Sequence, residues 1–291
     1  MYIVHILGGL GNQMFQFAFA YAISKEAGSS FKLDISDLEA PDQRNYALDH
    51  YCINVELASL AERQKYKYEN ESTAITIIRK LTRRPRGFAR TFHKEAHFHF
   101  DNSVSEITGD AYLQGYWQSE KYFHVHRDDL LAIFSPKNKL HPDTIAYRQK
   151  IMAAQSIGLH VRRGDYASDA KTRRMHGSCT LEYYEEAVLL FKKKLPAPHY
   201  FIFSDDLPWA RDNLDFIEHK SFVKLENQSF AHEEMHLMSI CQHNIIANSS
   251  FSWWGAWLNA NPDKTVIAPK RWFADETINT KDLIPENWLC L

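Results

Sequence analysis

Residues 156–166 read SIGLHVRRGDY. The run 157–161 is short and apolar, as in a strand covered on both faces, and it stops at two arginines, a glycine and an aspartate. Strand and helix then alternate to the C-terminus. Thr180 caps a helix with Glu182 in its first turn and Tyr183, Ala187, Leu190 and Phe191 on its apolar side. Residues 200–203 read as a second strand, 233–241 as a helix, 244–247 as a third strand, 251–259 as a helix and 265–268 as a fourth strand. This alternation predicts a parallel sheet covered by helices.

The same grammar opens the chain. Residues 2–7 are β-rich, Gly8, Gly9 and Gly11 interrupt them, and 14–23 continue as an apolar helix; a short run at 31–33 ends in Asp34. Only 11 glycines occur in 291 residues, roughly half the usual share of about 7%, so their clustering here points to a backbone requirement. Between 37 and 156 the pattern blurs into moderate helical signals without repeats. Single cores stop growing near about 250 residues, so two lobes are expected, linked near 136–155.

Composition narrows the classes. With 45% hydrophobic, 24% charged and 13% aromatic residues the chain is neither disordered nor fibrous, and a formal charge of -2 gives no footprint for nucleic acid. Cys52, Cys179, Cys241 and Cys290 are too widely spaced for a disulfide framework or structural zinc, which suits a reducing compartment. Neither a signal segment nor an apolar run of about 18 residues is present, so a cytoplasmic protein starting at Met1 is expected.

Ligands of open parallel sheets bind beyond the carboxyl ends of the strands. Three such ends are polar here: Arg162, Arg163, Gly164, Asp165 and Tyr166; Ser204, Asp205 and Asp206; and Asn248, Ser249, Ser250, Phe251 and Ser252. Paired guanidiniums suit a pyrophosphate, a helix opened by NSSFS adds backbone amides and dipole, and a carboxylate can accept from a ribose or a guanine edge. Together they outline a nucleoside-diphosphate pocket. In the other lobe the GGLGNQ turn allows close backbone approach, with Asn12 and Gln13 as amide contacts; it matches neither the dinucleotide fingerprint nor the phosphate-binding P-loop. Trp253 and Trp257 share a helix face and are expected in the core.

Two further features need a reading. His232-Glu233-Glu234-Met235-His236 fits H-E-x-x-H, the helix of zinc hydrolases, but Gln242 occupies the position of a third ligand and no acid lies between 237 and 262. A helix with exposed His and Glu is the expected alternative. Arg79, Lys80, Arg83, Arg84, Arg86, Arg90 and Lys94 crowd into residues 79–94 with no acid among them; they read as a solvated basic face or as a contact for anionic membrane.

Taken together, GGLGNQMFQFAFAYA at the N-terminus, HVRRGDY at 160–166, FSDD at 203–206 and NSSFSWWGAWL at 248–258 resemble the bacterial α-1,2-fucosyltransferases of glycosyltransferase family 11. The resemblance implies an α/β, GT-B-like fold of two Rossmann-type lobes with a cleft between them: an acceptor-side lobe at 1–150 and a GDP-fucose-binding lobe at 151–291. It implies inverting, metal-independent transfer of L-fucose from GDP-β-L-fucose to the 2-hydroxyl of a terminal galactose, with no cofactor, in O-antigen or lipopolysaccharide biosynthesis. Carried over by position, Arg162 grips the β-phosphate with help from Arg163. His160 and Asp205 or Asp206 meet guanine, and Ser249, Ser250, Phe251 and Ser252 meet the pyrophosphate. Gly9, Gly11, Asn12 and Gln13 face the donor sugar. Asp165 and Asp34 are the candidates for the general base. The competing classes are a nucleotide-sugar-binding protein without turnover and a zinc hydrolase built on His232, Glu233 and His236.

Overall fold

The computed structural model describes residues 1–40, 44–163, 177–225 and 231–291. Two parallel sheets organise them, one in each of two compact units. Unit 1 holds Met1–Leu48 and Ile53–Leu130; unit 2 holds Asp49–Cys52 and Leu131–Leu291.

In unit 1, β1 (Tyr2–His5), α1 (Leu10–Glu26) and β2 (Phe31–Asp34) form the first crossover, followed by α2 (Leu60–Lys67), α3 (Thr73–Leu81), β3 (Phe92–Lys94) and β4 (Ala111–Gln114). The strand order is β2-β1-β4-β3, every pair parallel. β1 is wholly buried, as a strand covered on both faces should be. The helix begins at Leu10, with Gly9 as its N-cap, so Gly11, Asn12 and Gln13 lie in its first turn instead of in a loop. α1 is buried nearly all round and carries Gln13 and Gln16 inward with its aromatic residues. Gly8 sits at φ +79°, and a Cβ there would lie 2.7 Å from Asn12 Nδ2, so only glycine fits this turn without strain.

The division between the units falls within α4 (Arg127–Ile133), ahead of the 150/151 boundary expected from sequence. The reason is α5 (Pro142–Met152): Ile151 packs with Phe201, Leu237 and Met238 in the unit 2 core. Asp49–Cys52 also belongs to unit 2. There Tyr51 is 1% exposed, sets its ring against Phe134 and donates its hydroxyl toward Met235 Sδ at 3.6 Å.

Unit 2 continues with β5 (Gln155–Val161), α6 (Leu181–Lys194), β6 (Pro198–Ser204), α7 (Leu207–Asn213), β7 (Lys220–Phe222) and α8 (Ala231–Ser239). Then come β8 (His243–Ile245), α9 (Ser250–Trp257), β9 (Val266–Ala268) and β10 (Leu289–Cys290). Its sheet runs β10-β9-β8-β5-β6-β7, again entirely parallel. Thr180 caps α6, its side chain accepting from the Tyr183 amide. Trp253 and Trp257 are core residues as expected, and Trp254 joins them fully buried; Trp253 Nε1 donates to Leu283 O at 2.9 Å. α8 and α9 approach so closely at Gly255 that a Cβ would lie 2.9 Å from Met238 Cβ. The four cysteines are free thiols. No helix among the described residues is long and apolar enough to cross a membrane.

Candidate functional site

Register brings the three polar strand ends of unit 2 to one edge. β5 lies between β6 and β8, with Val161 opposite Ser204 and Leu159 opposite Ile245, so the residues after 161, 204 and 247 emerge side by side. There the Asp205 carboxylate takes Arg162 Nη1 at 2.9 Å through one oxygen and the Arg163 amide at 2.9 Å through the other. It thereby fixes the first guanidinium and the backbone of the second arginine together. Arg163 lays its guanidinium 4.1 Å from the centre of the Trp209 ring and lies 3.7 Å from Asp206. Asp206 caps α7, accepting from the Trp209 amide at 3.1 Å. Both carboxylates of the FSDD block thus organise the arginines and the α7 start, and a carboxylate's remaining lone pairs are what a ligand could still use.

His160 stands beside this cluster, 5% exposed, its ring 5.6 Å from that of Phe251 at the start of α9. Burial, with the charge of Arg162 adding to it, pushes its pKa down to about 3, so the imidazole is neutral near pH 7. Its Nδ1 is buried with no hydrogen-bond partner among the described residues, an orphan of the kind a bound ligand relieves. Ser249 is the N-cap of α9 and makes no side-chain cap bond, which leaves the first-turn amides to an outside acceptor. Ser252 departs from expectation: fully buried, it turns its hydroxyl back onto Ala247 O and Ser249 O, so that hydroxyl is engaged by the turn's own backbone. Asp165 lies outside the described residues.

The H-E-x-x-H helix is also corrected. His232 and Glu233 are buried instead of exposed. α8 packs against α5 and α9: Glu233 accepts from the His141 amide at the α5 N-cap, and His232 stacks flat on His50 with ring centroids 4.0 Å apart. No group of three or more His, Cys, Asp or Glu among the described residues is arranged to hold a metal. Sequence reasoning missed Glu234 on the same helix. Burial, then the charge of Asp205, pushes its carboxyl up to about 7.

In unit 1 the turn before α1 is braced from within. Gln13 is fully buried; its Nε2 donates to Gly8 O and Asn45 O at 2.9 Å each, and its Oε1 accepts from Ala47 N. Every polar group of this side chain is taken, so it holds the glycine turn and does not reach a ligand. Gln16 does the same for Leu7 and Gly115. Asn12 accepts from Gln118 Nε2 at 2.8 Å, which leaves its amide donors to other partners. Gly9 faces open space, while Gly11 is buried in α1.

Asp34 is 2% exposed and accepts from Tyr112 Oη at 2.6 Å, Arg63 Nη1 at 3.0 Å and Ser36 N at 3.0 Å. Burial raises its pKa, but those bonds outweigh it and hold the carboxyl below the usual range. So saturated an anion is a poor proton acceptor, and Asp34 serves the sheet edge instead of the chemistry. The partner of Asn12 also stands on a strained segment. Trp117, next to Gln118, has φ +54°, rare for a bulky residue, and is held there by Glu95, which accepts the Tyr116 and Trp117 amides, and by stacking on Phe19 at 4.1 Å. Nothing in the local sequence marks Glu95 or Trp117.

A family model described as glycosyl transferase family 11 matches residues 1–291. The chain is 34% identical over 291 residues to an alpha-1,2-colitosyltransferase of Escherichia coli, covering 99% of this chain and 97% of that protein. It is 26% identical over 170 residues to galactoside alpha-(1,2)-fucosyltransferase 1 of Leontopithecus chrysomelas, covering 55% and 46% of the two chains. Among solved structures, a mutant of Arabidopsis thaliana FUT1 in complex with GDP matches at TM-score 0.51 and 13% identity, over 92% of this chain and 70% of that one; at that identity the likeness concerns the fold.

Proposed function

The chain belongs to glycosyltransferase family 11, and on that premise we propose that it transfers L-fucose from GDP-β-L-fucose to the 2-hydroxyl of a terminal galactose, with inversion and without a metal. The observation that carries this is the Asp205-braced pair Arg162 and Arg163 beside the uncapped start of α9. When the galactose O2 attacks C1, the C1–O bond breaks and its electron pair passes to the β-phosphate. Arg162 meets that charge, Arg163 supports it, and the amides of Ser250, Phe251 and Ser252 hold the pyrophosphate where another enzyme would place Mg²⁺. Guanine is met by neutral His160, through its orphaned nitrogen, and by Asp205 or Asp206. The proton of the attacking hydroxyl passes to a base, for which Asp165 is the candidate.

The test is transfer from GDP-fucose to lactose in EDTA, with the linkage read by NMR. Product joined Fucα1-2Gal supports the proposal, and GDP binding without product favours a binding protein.

The relation to a colitosyltransferase favours one second reading, GDP-colitose as donor. Colitose lacks the 3-hydroxyl of fucose, so a site that hydrogen-bonds this group rejects colitose strongly, whereas one that does not will accept both. Competition between the two donors distinguishes them.

A further inference from the structure

Within unit 1, the chain between Tyr68 and Phe88 projects as a finger. Its base is pinned by an antiparallel bridge between those two residues, by Glu69 N donating to Gly87 O at 3.0 Å, by Arg86 donating to Glu69 O, and by stacking of Phe88 on Tyr68 and Phe92. α3 lies at the far end, well formed, with Ser72 as N-cap accepting from Ile75 N, and with none of its residues buried.

At 100° per residue its side chains divide cleanly. Ala74, Ile75, Ile77, Ile78 and Leu81 fall on one arc, and Thr76, Arg79 and Lys80 on the other. On the polar arc Thr76 and Arg79 are half-buried and both bind the Glu71 carboxylate, which lies just before the helix and is 11% exposed, while Lys80 is exposed. The apolar arc turns outward, with Ile75 and Ile77 each 53%, Ile78 60% and Leu81 79% exposed. A helix packed on its own protein shows the opposite arrangement. Lys80, Arg83 and Arg84, at the end of α3 and just after it, are exposed, as are Arg90 and Lys94 beyond the base of the finger; no acid lies between 79 and 94, and Glu69 and Glu71 lie on the other limb.

We propose that α3 and the basic segment after it form an interfacial anchor that beds the Ile75, Ile78 and Leu81 side chains into an anionic phospholipid surface while the surrounding lysines and arginines meet the headgroups. Charge decides the occupant. The net-positive segment after α3 complements an anionic bilayer, and an outward apolar stripe of this width suits shallow insertion along the interface. The same segment would repel a second copy's own cations, which counts against self-association.

The test uses the full chain and sucrose-loaded vesicles of phosphatidylcholine with about a third phosphatidylglycerol, compared with phosphatidylcholine alone. Wild type is expected to sediment with the anionic vesicles and to leave them at about 1 M salt, where the screening length falls to about 3 Å. Ile78→Glu with Leu81→Glu should abolish sedimentation. Each of Lys80→Gln, Arg83→Gln and Arg84→Gln should weaken it about fivefold. Because α3 buries no side chain, all variants should keep the wild-type thermal midpoint, which verifies the fold. Equal sedimentation of wild type and the double variant would overturn the proposal. So would absence of vesicle binding together with a dimer in sedimentation velocity that the double variant dissolves, since the stripe would then serve a second copy. No donor or acceptor enters this test, so its outcome is separate from that of the transferase reading.

Discussion

The start of α1 and the start of α9 are the same device used twice. Each follows a buried parallel strand, each N-cap makes no side-chain cap bond, and each helix runs into a packed core. They differ in what stands beside them. At α1 the neighbouring amides of Gln13 and Gln16 are turned inward to hold the glycine turn, while at α9 the next strand contributes two arginines locked by Asp205. An uncapped helix start is thus only a general invitation to an acceptor, and fixed cations turn it into a site for a multiply charged one.

The largest effect should come from removing the cation that makes the difference. Arg162→Ala is expected to lower kcat/KM for transfer about a thousandfold, with weaker GDP binding by calorimetry and an unchanged thermal midpoint. Retained transfer would mean that the α9 amides suffice and that the two turns do not differ in this respect. Gln13→Ala should do the reverse, costing about 2–3 kcal/mol of stability in denaturant melts, since Gly8 O, Asn45 O and Ala47 N lose a buried partner. Its GDP affinity should be that of wild type.

Glu234 sharpens the contrast through pH. Its carboxyl, held near 7 instead of its ordinary 4.5, is disfavoured as an anion in the folded state. Its contribution to stability is therefore complete below about pH 4.5 and is lost as pH rises through 7. Glu234→Gln should remove that decline and gain about 2 kcal/mol on wild type between pH 4.5 and 8, read from melts at both values. A parallel pH dependence in the two proteins would show that Glu234 is not the group responsible. The smallest change is Asp205→Asn. Arg162 and Asp205 are each 24% exposed, so solvent moderates the loss, and about a tenfold fall in kcat/KM is expected from an arginine no longer held in place. Wild-type kinetics would remove the bracing role.

Unit 2 was far more legible than unit 1. Residues 200–203 are a continuous apolar run and 157–161 are apolar but for Gly158 and His160, and buried parallel strands announce themselves in that way. β3 is three residues set among cations and β4 only four, too short to stand out from the blurred helical pattern around them. The chemistry-bearing residue types were visible too, and the directions of their side chains were not. Gln13, Asp34 and Ser252 carry the right groups at the right turns, yet Asn45, Arg63 and the Ala247 carbonyl claim them. Those partners are fixed by tertiary packing across tens of residues, or by the turn's own backbone. The H-E-x-x-H helix failed as an exposed surface for the same reason, since the His141 amide that Glu233 satisfies lies 92 positions away.

The assignment of Asp49–Cys52 to unit 2 has a consequence for biosynthesis. Tyr51 leaves the ribosome early, but Met235, which receives its hydroxyl, is 184 residues downstream. At about 5–20 residues per second that is roughly ten to forty seconds of translation. Throughout this interval a large aromatic side chain destined for full burial has no core to enter. The nascent chain therefore carries Tyr51 without its final partners while residues 53–130 are being made, so unit 1 is synthesised around a segment that belongs to the other unit.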